Sequence, residues 1–155
     1  MSDFAISAAS GRASIFLIAL GVIPLLLTGF SVFSLNKEKS GLVALGVTVL
    51  LALVILIGGL WQMGSMKASV SGGHLVVSGG LYNLKVDVKD IDLSQSSVTT
   101  ISSVQDSLRI RTNGIGMPGL RVGWFTGKSG RVFAATGSSD EAVVLPIKDD
   151  ITVIM

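Results

Sequence analysis

The stretch 111-RTNGIGMPGLRVGWF-125 contains Gly114-x-Gly116-x-x-Gly119. How these glycines are read decides the fold. At this spacing they form a dinucleotide fingerprint when they follow a strand and open a helix whose N-terminus faces the pyrophosphate. Upstream, SLRIRT (107–112) alternates as a strand does. Downstream, Pro118-Gly119 leads into LRVGWFT (120–126), which is β-branched and aromatic. With a strand on each side, no helix is available to aim at a phosphate. The glycines are therefore expected to form a wide connection between consecutive strands, with Gly123 marking a bulge or tight bend. Neither nucleotide nor cofactor binding is expected.

The same pattern extends outward from this stretch. HLVVS, LYNLKVDV, SVTTIS, RVFAAT, AVVLPI and ITVIM are short alternating or β-branched runs, separated by clusters such as SGG, GKSG, TGSSDE and KDD. Short strands with this punctuation indicate an all-β barrel or orthogonal sandwich over residues 64–155. No segment after residue 65 shows a helical period. GKSG (127–130) is expected to be a hairpin turn.

The first 63 residues are of another kind. Residues 13–35 and 42–63 carry no charge, while the whole chain is 14% charged; a typical soluble domain holds roughly 25%. At 1.5 Å per residue each run reaches at least ~33 Å, enough for a hydrocarbon core of about 30 Å. The link NKEKSG (36–41) is too short to recross a bilayer, so a two-helix transmembrane hairpin is expected, after a short N-terminal segment (1–12). Pro24 should kink the first helix. Gly21, Gly29, Ala44, Gly46 and Ala52 would permit close helix contact. Trp61 fits an interfacial anchor. The positive-inside count is nearly balanced, with Lys37 and Lys39 in the link against Arg12 and Lys67 on the other side. In the absence of an export signal, the β-domain is placed in the cytoplasm. Neither span holds an ionisable residue, which disfavours an ion pathway.

The net charge is +2 without a basic block, so nucleic acid is not an expected partner. The chain has no cysteine and a single histidine, His74. No triad can be assembled from these residues, and the chain is not expected to be an enzyme. His74, after Gly72-Gly73, reads as a turn residue. Asp87, Asp90 and Asp92 lack the glycine and distal glutamate of a calcium loop, so no metal site is expected. Arg109, Arg111, Arg121 and Arg131 are the candidate contact residues. If the strands of Arg111 and Arg121 pair antiparallel, the side chains approach one another and could receive an acidic partner or a lipid headgroup. Alternatively they form salt bridges with Asp87, Asp106 or Asp140. Trp124 and Phe125 point to opposite faces of one strand, so one should be core and the other exposed or at a contact.

RTNGIGMPGLRVGWF, followed by GKSGRVFAAT and AVVLPI and preceded by GGLYNLKVDVKDIDL, resembles small bacterial pleckstrin-homology-like (PH-like) domains over about residues 66–155. The resemblance implies a strongly bent barrel of two near-orthogonal sheets behind transmembrane helices in a bacterial inner membrane. That fold is normally closed by a C-terminal helix, which ITVIM does not supply; another subunit, a second copy or the membrane-proximal segment would then cover the corner. The hairpin with which phosphoinositide-binding relatives grip their ligand corresponds to residues 68–84, which contain no Lys or Arg. The function expected is a membrane-anchored, non-catalytic interaction module that docks onto itself or another membrane protein. An accessory subunit of a larger membrane enzyme or transporter is the alternative.

Overall fold

The computed structural model describes residues 2–5, 11–34, 39–105, 107–128, 130–137 and 139–155. Residues 36–38 of the expected link, Asp106, and Ser129 of the GKSG turn lie outside these. The chain divides into two units, Ser14–Trp61 on one hand and the described residues up to Ala13 with Gln62–Met155 on the other.

The first unit is a pair of long helices, α1 (Gly11–Ser34) and α2 (Lys39–Gly64). Both are long and apolar enough to cross a membrane. They run antiparallel. A Cβ placed on Gly21 would lie 3.2 Å from Leu56, and one on Gly59 would lie 2.7 Å from Leu17, while Thr28 and Thr48 hydroxyls meet at 3.4 Å. Ala52 and Leu17 are buried in this seam. Of the other expected small contacts, Gly29 and Gly46 have open space where a Cβ would stand, and Ala44 is exposed. Pro24 lies inside the continuous helix α1. Large apolar side chains, including Leu26, Phe30, Val43 and Leu50, cover the outside of the pair.

Beyond the adjoining ends of α1 and α2, the second unit is all-β apart from a 3-10 turn at Val88–Asp90 and one turn of α-helix. Its strands are β1 (Ser2–Ala5), β2 (Met66–Ser71), β3 (His74–Gly79), β4 (Tyr82–Asp87), β5 (Ser97–Thr100), β6 (Arg111–Met117), β7 (Leu120–Gly127), β8 (Gly130–Thr136), β9 (Glu141–Ile147) and β10 (Ile151–Ile154), with α3 (Ile101–Gln105) after β5. They form two sheets, β1-β2-β3-β4 and β5-β9-β10-β8-β7-β6. Every pairing is antiparallel except β10 with β8. Of the barrel and sandwich readings, the two-sheet form is present and the closed barrel is not. Both sheets keep their edges, and a lone bridge, Ile91 with Ile147, joins the segment after β4 to β9.

Strand β8 sits inside the larger sheet and is buried on both faces. One face carries Phe133 and Ala135, packed with Val153 against Leu75 and Val77 of the smaller sheet. The other face carries Val132 and Ala134, packed with Phe125, Ala142 and Ile154 against Val104, with Ile101 and Leu108 alongside. Thus α3 and the residues after it cover the second face. This corrects one expectation. The 97–102 run does not stay extended; it turns into helix after Thr100. Through it the chain covers this sheet face with its own residues. The terminal run ITVIM supplies β10, an interior strand between β9 and β8.

The glycine motif is corrected in detail. The strand begins at Arg111, not Ser107, and already contains Gly114 and Gly116. Met117 pairs with Leu120, so the connection is the tight turn Pro118-Gly119 and not a wide loop. Gly119 has φ +79°, and proline followed by a positive-φ glycine is the type II arrangement. Gly114 lies opposite Gly123, whose φ is +117°. A Cβ on Gly123 would stand 2.5 Å from Asn113 O and 2.6 Å from Gly114 Cα. The register shifts between Arg111 and Asn113, placing a bulge beside this contact.

Two stability predictions follow from this packing. Gly123→Ala meets both backbone collision and disallowed φ, and should lower stability by more than ~1 kcal/mol in chemical denaturation; a midpoint equal to wild type would contradict the close approach. Phe133→Ala should cost about 3–5 kcal/mol by leaving a cavity between the sheets.

Candidate functional site

The β6–β7 hairpin and β8 position the arginine–tryptophan candidates. Arg111 faces Phe125 across the hairpin and Arg121 faces Gly116. A Cβ on Gly116 would be 3.8 Å from Arg111 Nη1, an ordinary contact distance, so the Arg111 side chain lies beside the residue paired with Arg121. Arg111 and Arg121 therefore share one face of the hairpin. Arg131 belongs to the other face, where its guanidinium carbon stands 4.4 Å from the centroid of the Trp124 ring. Trp124 in turn meets Phe133 edge-on, with centroids 5.3 Å apart. Arg109 lies just before β6; its N–H donates to Thr126 O at 2.8 Å. The four arginines do not form one cluster. They divide into the Arg111–Arg121 face, the Arg131–Trp124 stack and Arg109 at the strand end.

The alternative expectation, salt bridges to Asp87 or Asp140, is also corrected. Among the described residues the ion pairs are His74–Asp87, Lys89–Asp87 and Lys148–Asp90, and none includes an arginine. Asp106 lies outside the described residues. Trp124 is half-buried at the rim of the inter-sheet core and Phe125 is buried in the opposite one. Phe125 is thus the core residue of the two, and Trp124 is the more exposed. Trp61, near the end of α2, is 55% exposed.

His74 begins β3 and pairs with Asp87, the last residue of β4. Its Nε2 is 2.7 Å from Asp87 Oδ1 and its Nδ1 is 3.0 Å from Gly72 O. It stands directly after the Gly72-Gly73 turn, ion-paired across the hairpin. Hairpin arithmetic carried the signal: a two-residue turn at Gly80-Leu81 pairs residue 79 with 82 and hence 74 with 87. The Lys89 ammonium, 3.0 Å from Asp87 Oδ2, holds that carboxyl below its ordinary value, and Asp87 raises Lys89 in return. Asp92 is lowered chiefly by the Ser94 hydroxyl, 2.5 Å from Oδ1, with the Ser94 and Gln95 amides and the Gln95 side chain adding to it. A groove of about 550 Å³ runs beside these groups, lined by Lys89, Asp90, Asp92, Gln95, Lys148 and Asp150. Both signs of charge line it. Among the described residues no group of three or more His, Asp or Glu is placed to hold a metal ion.

Compared with protein-family models, curated proteins and solved structures, the chain matches none.

Two measurements bear on this geometry. A double-mutant cycle between Arg131→Gln and Trp124→Leu should return a coupling of ~0.5–1 kcal/mol, the range of a cation over an aromatic face at an exposed site; a coupling of zero would mean the stack contributes nothing. Lowered carboxylates stabilise the fold above their unfolded pKa and lose that contribution as pH falls through the folded value. The Asp92→Ala loss in thermal midpoint should therefore be full near neutrality and shrink as pH drops below the ordinary value of 3.8. The raised Lys89 works oppositely: its contribution is full below 10.5 and lost as pH climbs above that value. A pH-independent Asp92→Ala effect would contradict the hydrogen-bonded carboxylate.

Proposed function

We propose that the chain is a membrane-anchored, non-catalytic interaction module in which a helical hairpin holds a PH-like β-domain at a bacterial inner membrane, on the cytoplasmic side. The observation that carries the reading is the apolar covering of α1 and α2. Leu26, Phe30, Val43 and Leu50 are all at least 63% exposed, with no ionisable residue between Ala13 and Leu35 or between Leu42 and Met66 to hydrate the surface. Such a surface requires lipid or other helices around it. The PH-like assignment rests on the loop–strand motif together with packing of two sheets. The contact surface would be the face of the β6–β7 hairpin that carries Arg111 and Arg121, with the Arg131–Trp124 stack on the opposite face as a separate candidate. Tethering raises the effective concentration of the domain, so a modest interface suffices for docking to a second copy or another membrane protein.

A second reading has its own observation. Gly29, Gly46 and Gly58 have open space where a Cβ would stand, so small positions lie away from the α1–α2 seam. Additional helices could approach closely there, as in an accessory subunit of a larger membrane complex.

Crosslinking in native membranes followed by gentle-detergent purification separates these outcomes. Dimers or rings of this chain support self-docking, and a stoichiometric large partner supports the accessory subunit. A monomer that crosslinks to nothing in the membrane would overturn both.

A further inference from the structure

Gln62 is the first residue of the β-domain unit after Trp61, and its side chain is 3% exposed. Both ends of its carboxamide are used by one turn. Nε2 donates to Gly79 O, and Oε1 accepts from the Leu81 N–H at 3.1 Å. Gly80 lies so close that a Cβ there would sit 2.8 Å from Gln62 Cδ. The β3–β4 turn is thus bound to a residue in the last turn of α2. At the tip of that turn, the Leu81 side chain is 70% exposed.

Leucine is an unexpected choice for this position. Two-residue hairpin turns favour Gly, Asn, Asp and Ser, which suit the backbone and water alike. An apolar side chain held out at the tip loses nothing if the tip is not in water. The strands beside it carry no opposing charge, since residues 68–84 contain no Lys, Arg, Asp or Glu. Lys67 is exposed on β2 and pairs with Ser78, two residues before the turn. A lysine beside an apolar tip matches the chemistry of a lipid surface, where the acyl boundary lies just beneath anionic phosphates.

We propose that the Gly80-Leu81 turn is a membrane contact, with Leu81 inserted at the headgroup–acyl boundary of the bilayer. The proposal rests on the reading that α2 spans that bilayer. The second apolar span reaches Gly64, two residues beyond Gln62, so on that reading Gln62 and the turn it bonds belong to the part of the chain that leaves the bilayer. Leu93 is equally bare, at 71%, but follows the other end of β4. A six-residue strand extends ~20 Å, which places Leu93 far along the domain from the turn. The contact gives the β-domain a second attachment besides the chain itself and so restricts its orientation at the surface.

The chain has no cysteine, so single-cysteine labelling is clean. Leu81→Cys, Leu93→Cys and Leu51→Cys of the full chain would each be labelled with NBD in vesicles of phosphatidylcholine and phosphatidylglycerol. Leu51 is on the exposed face of α2 and reports the span itself. The expected result is quenching of position 51 by deep nitroxide lipids. Position 81 should be blue-shifted and quenched by shallow nitroxide lipids, at a depth of ~5–10 Å, and position 93 should be unquenched. If 51 is quenched while 81 behaves like 93, whether both are quenched or neither, the contact is overturned and the span stands. If 51 is not quenched, the span reading fails and the contact falls with it.

Discussion

Burial of β8 on both faces is the constraint on which the β-domain depends. A strand with Val132 and Ala134 on one side and Phe133 and Ala135 on the other needs two apolar covers, while its backbone must remain fully paired. The pairing comes from β7 on one side and β10 on the other. One cover is the smaller sheet, through Leu75 and Val77. The other is the Ile101–Leu108 stretch with α3 at its start. Small residues at 134 and 135 let both covers approach the strand. Placing β10 parallel to β8 and inside the sheet follows from the same demand, since Val153 faces one core and Ile154 the other.

The glycine hairpin then shapes what lies at the edge. Contact between Gly114 and Gly123 and the adjacent bulge strengthen the local bend of β6 and β7. Trp124 is brought over the inter-sheet core while Phe125 enters the opposite core. With both aromatics in packed positions, Arg131 stands over the Trp124 ring, and Arg111 lies beside Gly116. A motif that elsewhere cradles a pyrophosphate acts here through backbone proximity, because strands and not a helix follow it. The polar groups at the far end of β3 and β4 have a different character. His74, Asp87 and Lys89 tie one hairpin end to the segment that follows it, through contacts that remain exposed to solvent.

Legibility in the sequence tracks the strength of the local pattern. HLVVS, RVFAAT, AVVLPI and ITVIM form strands because β-branched residues between turn-forming clusters admit few other structures. The His74–Asp87 pair follows from counting outward from Gly80-Leu81. Met66–Ser71 was less visible, since Ala68, Ser69 and Ser71 carry little strand signal; its partner β3 holds it extended. Ser2–Ala5 pairs with β2 although four residues without strong pattern precede the first apolar run. ISSVQ is too short to show a helical period, and it is helical where Ile101 and Val104 reach a sheet face. The arginines illustrate the same limit. Antiparallel pairing of their strands was legible, but the bulge that sets their faces was not.

The sequence by itself determined the division into apolar helices and alternating strands, because hydrophobic period and length are local properties of the chain. It also determined that Gly114-x-Gly116-x-x-Gly119 serves strands, because its flanks lack a helix. Tertiary structure alone decided the sheet order, the open two-sheet form, the placing of β10 between β8 and β9, and the binding of Gln62 to the β3–β4 turn. These depend on which apolar faces meet and which distant polar groups must be satisfied once water is removed, and such pairings have no signature in neighbouring residues.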